Sequence, residues 1–373
     1  MISEVVATAS FFCFLLFPFG SLFSTELQSA WFVQDWTLWT GNPTGNCFES
    51  IKNVDRTKTF FPLVIDIQKL QDSAREKNVD IIWTERLKME KYLNETSKPP
   101  LTVVLWMWFF GEKDYFPTIL QTWPETKLIF FLYESHSTCP YYFDKQYHSF
   151  FHKIYTWDDD LIDNNKYFKF YYPVLESMAK DIPSFEEKRL CTLICSNKTT
   201  LHPHELYSAR KEVIQFFEDQ PGNDFEFFGH DWSGYRTYRG LSMNKIETLK
   251  NYRFVYCYEN ISSAKGYITE KIFDCFAAGT IPIYWGATNI EEYIPKECFI
   301  DRRNFSSNEE LYAFIKKMPK EEFEAYIRNI KEFLSSETAQ LFSSDHFIET
   351  FIEAGGPNFT NLERFAIEKF LLA

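Results

Sequence analysis

Positive charge is scarce in this sequence. Its 373 residues include 39 Lys and Arg against 52 Asp and Glu, which gives a formal net charge of −13. A protein that binds nucleic acid through its phosphates needs a basic surface, so this balance argues against a nucleic-acid partner. A site for a phosphorylated ligand would have to be a local positive pocket on an acidic protein.

Paired metal-binding cysteine motifs, internal repeats and low-complexity tracts are also absent from the sequence. The eight cysteines are scattered and form no Cys-x-x-Cys pair with a matching partner, so no structural zinc site is predicted. Cys191 and Cys195 lie four residues apart in a strand-like run. This spacing places both on one face of a strand, and buried thiols are expected there.

Hydrophobic material is abundant. Aromatic residues make up 19% of the chain, and the length is sufficient for two domains of ordinary size. The uncharged run Val5–Thr25 is long enough to span a bilayer, although Pro18 and Gly20 weaken it as a helix and no basic region precedes it. We expect residues 1–25 to be a membrane anchor, with a cleaved signal or a peptide without targeting role as alternatives.

Strand-like and helix-like segments alternate along the rest of the chain, which predicts an α/β fold with parallel sheets. Strands are predicted at Phe60–Ile67, Leu101–Phe110, Lys127–Tyr133, Lys153–Trp157, Phe168–Tyr172, Leu190–Cys195, Phe225–Phe228, Phe254–Tyr258 and Ile281–Trp285. Helices are predicted at Lys69–Lys77, Leu206–Phe217, Lys245–Tyr252, from the Tyr267–Lys271 segment through Ala278, at Asn308–Met318, Glu321–Leu334 and in most of Ala339–Ala373.

The polar segment Leu175–Lys188, which contains Pro183, predicts a domain boundary. We therefore expect an α/β domain over 26–175, a second over 188–335 and a helical tail over 336–373.

The most specific pattern in the chain is Phe254–Pro295, which predicts a strand, a loop of small residues, a helix and a second strand. Thr269 is a suitable N-cap for the helix, and Gly279 a suitable end. A helix that begins after a parallel strand presents free N–H groups and the positive end of its dipole to an anion. Glu270 and Lys271 occupy its first turn, so this unit is suited to hold a sugar and a diphosphate together.

This stretch resembles the donor-binding signature of the α1,3/4-fucosyltransferases, an inverting family that uses GDP-fucose. The matching residues are Phe254, Glu259, Asn260, Tyr267, Thr269, Glu270, Lys271, Pro282, Trp285 and Gly286. The resemblance implies a GT-B architecture, in which two Rossmann-like domains face each other across a cleft and the C-terminal domain binds the donor. It also implies no obligatory metal or other cofactor. Animal members usually have a C-terminal Cys-x-x-Cys joined in disulfides, but no cysteine follows Cys298 here.

The family resemblance also assigns a general base. Tyr133-Glu134-Ser135-His136 resembles a Glu-Ser-Pro segment whose Glu is the proposed base, and it follows a predicted buried strand. Glu134 is therefore the expected catalytic residue, at the carboxyl end of a parallel sheet. His136 replaces the proline of many members, and it remains an alternative base because histidine titrates near neutral pH.

Donor binding is expected from residues of the second domain. Lys271 and Arg236 are the predicted diphosphate contacts, with Arg239 as the alternative to Arg236. Glu270 is expected to accept hydrogen bonds from fucose hydroxyls. Arg210 lies on a predicted helix, so a partly structural role is expected for it, and a buried aromatic is the alternative for Tyr267. The remaining candidates are those that would line the donor site or its floor: Ser196, Asn197, Arg210, Glu259, Asn260 and Tyr267.

Trp157-Asp158-Asp159-Asp160 resembles a Thr-Trp-Asp-Asp segment of the same family, so we favour a capped turn over a metal site there. The resemblance implies an enzyme that transfers fucose to a GlcNAc or Glc hydroxyl of a glycan. The alternatives are a related transferase that uses another nucleotide sugar and a non-catalytic glycan-binding module. The expected location is a membrane, of the Golgi in a eukaryote or of the cytoplasm in a bacterium.

Overall fold

A computed structural model describes residues 28–33, 67–76, 79–84, 102–105 and 115–355. Within these ranges, no helix is long and apolar enough to cross a membrane. The predicted anchor over residues 1–25 lies outside them, as do Cys13, Cys47 and all but the last residue of the predicted strand Phe60–Ile67.

Among the described residues, the first sheet has six parallel strands in the order β2-β1-β3-β4-β5-β6. Their bounds are β1 Gln28–Val33, β2 Val79–Thr84, β3 Thr102–Leu105, β4 Lys127–Leu132, β5 Lys153–Thr156 and β6 Tyr167–Lys169. Residues 128–132 of β4 are all buried. A strand that is covered on both faces in this way is typical of a parallel α/β sheet.

The second sheet has five parallel strands in the order β11-β10-β9-β7-β8. Their bounds are β7 Arg189–Ile194, β8 Phe225–Phe228, β9 Tyr252–Tyr258, β10 Ile281–Trp285 and β11 Ile300–Asp301. The chain passes from the first sheet to the second between Lys169 and Arg189. The predicted α/β fold with two parallel sheets is confirmed.

Helices cover these sheets and connect their strands. Their bounds are α1 Ile67–Glu76, α2 Tyr115–Thr122, α3 Lys145–His148, α4 Tyr207–Asp219, α5 Lys245–Leu249, α6 Glu270–Ala277, α7 Asn308–Lys317, α8 Lys320–Leu334, α9 Glu337–Gln340 and α10 Ser344–Gly355. The sequence did not predict α2 or α3. The predicted helix Lys245–Tyr252 is wrong at its end, because Tyr252 pairs with Arg189 as the first residue of β9.

The last described helix, α10, packs on the first sheet rather than the second. The rings of Phe347 and Phe351 lie 5.8 and 5.7 Å from that of Phe131 on β4. Lys69 on α1 also forms an ion pair of 2.7 Å with Asp345. The chain therefore returns to the first sheet after completing the second, and one apolar cluster extends through both.

Candidate active site

The carboxyl ends of the two sheets meet, as hydrogen bonds between their loops show. Thr138, in the loop after β4, accepts from Asn260 Nδ2, after β9, at 3.4 Å. The Thr138 hydroxyl also lies 3.5 Å from the hydroxyl of Tyr207 on α4. Since ligands of parallel α/β sheets bind at the carboxyl ends of the strands, this junction is the candidate site.

Glu259 is the buried centre of the donor-side half of this site. Its side chain has no exposed surface, and it accepts hydrogen bonds from both the amide and the hydroxyl of Thr269 at 2.9 Å. Lys271 Nζ lies 3.0 Å from its other oxygen. Glu259 is thus enclosed, and its carboxylate positions Thr269 and Lys271. Its place in the floor of the donor site stays a prediction.

The first turn of α6 presents two reachable charged groups. Thr269 caps the helix as predicted, and the side chains of Glu270 and Lys271 are 15% and 25% exposed. Burial opposes the charge of Glu270, but Lys271 and Lys245 prevail and lower its pKa to about 2. Burial likewise opposes the charge of Lys271, yet Glu259 and Glu270 raise its pKa above the ordinary value. Both groups are thus ionised at neutral pH.

Lys245 is a member of this cluster that the sequence analysis missed. It is the first residue of α5, and its Nζ lies 3.6 Å from Glu270 Oε1 and 3.0 Å from Asp274 Oδ2. Burial raises the pKa of Asp274 to about 6, although Lys245 opposes the shift. Only the packing of α5 against α6 brings Lys245 to the site, so no local sequence pattern could have identified it.

Arg210 on α4 lies beneath the donor motif. Its Nη2 donates to the carbonyls of Tyr258 and Glu259 at 2.7 and 2.6 Å and to Asn260 Oδ1 at 3.2 Å. The residue is only 6% exposed. Arg210 therefore fixes the turn after β9 and adds positive charge next to Lys271, on which its charge acts. Asn260 is half-buried at the junction and also donates to the Tyr267 hydroxyl at 3.3 Å.

Tyr267 packs between the two sheets. It is 2% exposed, and its ring lies 4.6 Å from that of Trp157 and 6.3 Å from that of Tyr172. Of the two readings that the sequence allowed for Tyr267, the buried position favours the enclosed aromatic over a donor contact. Its hydroxyl instead supports Asn260.

Both predicted phosphate-binding arginines of the 235–240 segment are engaged elsewhere. Arg236 donates to the carbonyls of Phe217, Gln220 and Gly222 at 2.7, 3.0 and 2.8 Å, at the end of α4. Carbonyls at the end of a helix lack intrahelical partners, so a guanidinium is a natural cap. Arg239 pairs with Glu226 at 2.8 Å.

Within the described residues, no hydrogen bond or ion pair joins Arg236 or Arg239 to Glu259, Glu270 or Lys271. Both guanidiniums thus have protein partners in the structure, and a diphosphate contact from Arg236 or Arg239 stays a prediction.

The loop after β7 contains Ser196 and Asn197. Asn197 is exposed, and its side chain donates to the Asp231 carbonyl at 3.1 Å, while Ser196 is half-buried. The next residue, Lys198, was not predicted, but its charge acts on Glu134. This loop therefore borders the site from the donor side and contributes a cation opposite the candidate base.

Glu134 follows β4 and is half-buried. Burial raises the pKa of its carboxyl, while the charges of Lys198 and Lys271 act in the opposite direction. Within the described chain no Lys or Arg nitrogen forms an ion pair with it. A carboxylate with a raised pKa and no ion-pair partner among the described residues is suited to accept a proton.

The alternative base, His136, is stacked on Phe143 with 3.4 Å between the ring centroids. Burial and the neighbouring His202 lower the pKa of His136 to about 4. Its imidazole is therefore neutral at physiological pH and is fixed against an aromatic ring.

The aspartates at 158–160 are engaged by protein donors. Asp158 accepts from the amide of Asp160 at 3.1 Å, and Asp160 pairs with Lys265 at 2.7 Å. Asp159 pairs with Lys169 at 2.6 Å. No group of three metal-ligating side chains occurs among the residues that the structure describes. The capped turn favoured from the sequence is present, together with ion pairs that the sequence did not reveal.

Comparison with known proteins agrees with the location of the donor-side cluster. Residues 185–345 match the model of the family described as glycosyltransferase family 10 (fucosyltransferase) C-term. This range contains the second sheet, Arg210 and the cluster around Glu259. The sequence motif and this family match thus fall on the same segment, which is similar to the C-terminal part of the family 10 fucosyltransferases.

Individual relatives match over shorter segments. An α-(1,4)-fucosyltransferase of Arabidopsis thaliana is 37% identical over 19% of this chain and 17% of its own length. The α-(1,3)-fucosyltransferase FucT of Helicobacter pylori is 38% identical over 20% of this chain and 15% of its own. The matches thus span less than a fifth of these two relatives.

Among solved structures, a crystal structure of an α1,3-fucosyltransferase with GDP-fucose is 17% identical, with a TM-score of 0.47 over 92% of this chain and 95% of that one.

Proposed function

We propose that this protein transfers L-fucose from GDP-fucose to a GlcNAc or Glc hydroxyl of a glycan, forming an α1,3 or α1,3/4 linkage with inversion at the anomeric carbon. The family 10 match over residues 185–345 and the fucosyltransferase relatives support the donor and the reaction class. The observation that carries the proposal is the position of Glu134. It belongs to the first sheet, yet the charges of Lys271 and Glu270 from the second act on it.

In the proposed reaction, the acceptor hydroxyl loses its proton to the Glu134 carboxylate as its oxygen attacks the anomeric carbon of fucose. The bond from that carbon to the diphosphate oxygen breaks, and the electron pair leaves with GDP. The candidate base lies on one side of the junction and the cations lie on the other. This arrangement suits a single displacement, which inverts the configuration of the anomeric carbon. The raised pKa of Glu134 makes it a better proton acceptor than an exposed carboxylate.

Charge that develops on the diphosphate would be neutralised by Lys271, with Arg210 adding positive charge beneath it. The positive end of the α6 dipole favours an anion at the same position. Glu270, held ionised by Lys245 and Lys271, is the proposed acceptor of fucose hydroxyl hydrogen bonds. We propose that no bound metal is required, and turnover should survive treatment with a chelator.

Release of GDP from GDP-fucose in the presence of an N-acetyllactosamine acceptor tests the proposed activity. We expect acceptor-dependent release and a fucosylated product. A panel of type 1, type 2 and chitobiose-core acceptors then identifies the glycan. Absence of turnover on the entire panel would contradict the proposal.

Competition among GDP-fucose, GDP-mannose and UDP-sugars for binding separates this function from that of a related transferase. Measurable transfer excludes a purely glycan-binding module. We also propose that residues 5–25 anchor the protein to a membrane, of the Golgi in a eukaryote or of the cytoplasm in a bacterium. Cell fractionation with and without this segment tests that placement.

A further inference from the structure

Asp159, in the turn after β5, joins the two sheets through its carboxylate. It accepts from the Tyr293 hydroxyl at 2.8 and 2.7 Å and from Asn289 Nδ2 at 2.9 Å, both in the second domain. Lys169 Nζ, on the first sheet, completes the set at 2.6 Å. We name Asp159, Lys169, Asn289 and Tyr293 the Asp159 clamp.

The clamp is partly enclosed, and the side chains of Asp159 and Lys169 are 20% and 19% exposed. Burial raises the pKa of Asp159, but hydrogen bonds from Lys169, Asn289 and Tyr293 outweigh it, and the pKa is lowered overall. The carboxylate therefore stays ionised and keeps all three donors at neutral pH.

The clamp also holds the loop 262–268, which connects β9 to α6. Asn289 donates to Asp159 through Nδ2 and accepts from the Gly266 amide through Oδ1 at 2.9 Å. The Asp159 amide donates to the Lys265 carbonyl at 3.4 Å. Asn289 Nδ2 also donates to Glu292 Oε2 at 2.9 Å. Asp159 and Glu292 together orient the Asn289 amide group, and through it Asp159 helps to place the Gly266 backbone.

Gly266 is fitted closely to this surface. Its φ is +74°, and a Cβ atom there would lie 2.3 Å from the Trp157 carbonyl oxygen and 2.8 Å from Asp159 Cγ. Both the left-handed backbone and the lack of space require glycine at this position. The loop is thus seated directly on the turn that carries Asp159.

The residues that follow Gly266 carry the donor site. Tyr267 supports Asn260 through its hydroxyl, and Thr269 begins the helix that presents Glu270 and Lys271. A shift of the loop at Gly266 would move this segment with it. Contacts that only held the two sheets together would not need to lie at the loop that precedes α6.

We propose that Asp159 is a positioning residue, which holds the loop 262–268 in the conformation that binds the nucleotide sugar. This inference rests on the proposed function, and it gives the aspartate turn a role in the reaction without contact with substrate. Asp159 acts through Asn289 and the Gly266 amide.

The test is Asp159→Asn in the full chain, with GDP binding measured by calorimetry and GDP-fucose transfer by product formation. The amide keeps the size of the side chain but loses the charge opposite Lys169 and one acceptor. Since hydrogen bonds to charged groups are among the stronger ones, we expect the Kd for GDP and the KM for GDP-fucose to rise by about tenfold. The kcat at saturating donor should change by less than about threefold, because Asp159 acts on donor binding.

Hydrogen exchange gives a readout that does not depend on activity. We expect faster amide exchange over residues 262–268 in Asp159→Asn. The matched control is Asp163→Asn, because Asp163 accepts at 2.8 Å from the amides of Asn165, Lys166 and Tyr167 within one exposed turn of the first domain. This control should leave both GDP affinity and exchange at the loop unchanged.

Tyr293→Phe removes a single donor to Asp159 and keeps the ring. It should weaken GDP binding in the same direction but by less, about twofold to threefold. If Asp159→Asn does not fold, Tyr293→Phe decides the question, and unchanged GDP affinity in this folded variant would overturn the inference.

A lowered melting temperature of Asp159→Asn with wild-type GDP affinity and loop exchange would show that the clamp only joins the domains, and would likewise overturn the inference. A wild-type protein that neither binds GDP nor transfers fucose would overturn the proposed function, and this inference with it.

Discussion

The two sides of the junction hold their carboxylates in opposite ways. On the donor side, Glu259 and Glu270 lie within 3.0 and 3.7 Å of Lys271 Nζ, and Lys245 lies 3.6 Å from Glu270. On the acceptor side, Glu134 has no ion pair within the described residues, and burial raises its pKa.

The difference separates binding from proton transfer. A cluster of alternating charges is fixed before a ligand arrives, which suits recognition of a diphosphate and a sugar. A carboxylate that is kept without a close cation retains its affinity for a proton, which suits a base. Substitutions on each side of the junction test whether that side has the role that its charges suggest.

Glu134→Gln should have the largest effect on the reaction. The amide keeps the size of the side chain but cannot accept the proton, so kcat should fall by about 10²–10⁴. GDP affinity, measured by calorimetry, should change little. Glu125→Gln is the matched control, since Glu125 is exposed at the opposite end of the same strand. Near-wild-type turnover of Glu134→Gln would exclude Glu134 as the base, and His136 would then be the next candidate.

The pH dependence provides a second check on Glu134. Because its folded-state pKa is raised and the base must be ionised, transfer should fall as pH falls through a value above the ordinary 4.5. The effect on stability runs the other way. A raised folded-state pKa means that protonated Glu134 stabilises the fold at low pH, and this stabilisation is lost as pH rises through the folded-state pKa. Glu134→Gln should therefore melt at an equal or higher temperature than wild type at pH 7.

Lys271→Met should damage both binding and folding. Loss of a cation from the diphosphate site should weaken GDP binding by about 2–4 kcal/mol, by analogy with the loss of one transition-state donor. It also leaves Glu259 buried without its ion partner, which typically costs about 3–5 kcal/mol of stability. Calorimetry with GDP and denaturant unfolding measure the two effects.

A double variant distinguishes the two effects of Lys271. Lys271→Met/Glu259→Gln removes both charges and should recover much of the stability, while GDP binding remains weak. Lys316→Met is the surface control, because Lys316 pairs with Asp224 in an exposed ion pair of 2.8 Å worth at most about 1 kcal/mol. Recovery of GDP affinity in the double variant would show that Lys271 serves the fold rather than the ligand.

Lys245→Met should have an intermediate effect on transfer, through the contacts of Glu270 with the fucose and not through GDP binding. Glu270 loses one of the two cations that keep its pKa near 2, so its hydrogen bonds to the fucose hydroxyls should weaken. We expect transfer to fall by about tenfold, equivalent to about 1.4 kcal/mol, with GDP affinity within about twofold of wild type. Lys250→Met is the control at the opposite end of the same helix, where Lys250 is the C-cap and pairs with the exposed Glu247. An equal loss in both variants would mean that α5 itself had been damaged.

Arg236→Ala and Arg239→Ala should have the smallest effect on the ligand. Arg236 caps the end of α4 and Arg239 pairs with Glu226, so each substitution should reduce stability by about 1–2 kcal/mol. GDP affinity should stay within about twofold. A tenfold loss in either variant would restore that arginine as the diphosphate ligand predicted from the sequence.

The sequence predicted the elements whose signals are local. The strand Ile281–Trp285, the Thr269 cap and the end of α6 at Gly279 follow from residues within a few positions of each other. The helix predicted to extend to Tyr252 is wrong at its end, because Tyr252 pairs in the sheet with Arg189, which is distant in sequence. Local patterns predict where a strand or helix lies, but distant partners set where it stops.

The same division applies to the site. By itself the sequence determined that a strand, loop and capped helix would place Glu270 and Lys271 at the end of a parallel sheet, because turn residues, caps and apolar periodicity act over short distances. Only the tertiary structure decided that Glu259 is enclosed, that Arg236 caps a helix, that Tyr267 packs between the sheets and that Lys245 reaches Glu270. These outcomes depend on burial and on charges from distant segments, because desolvation and Coulomb interactions are set by neighbours in space rather than in sequence.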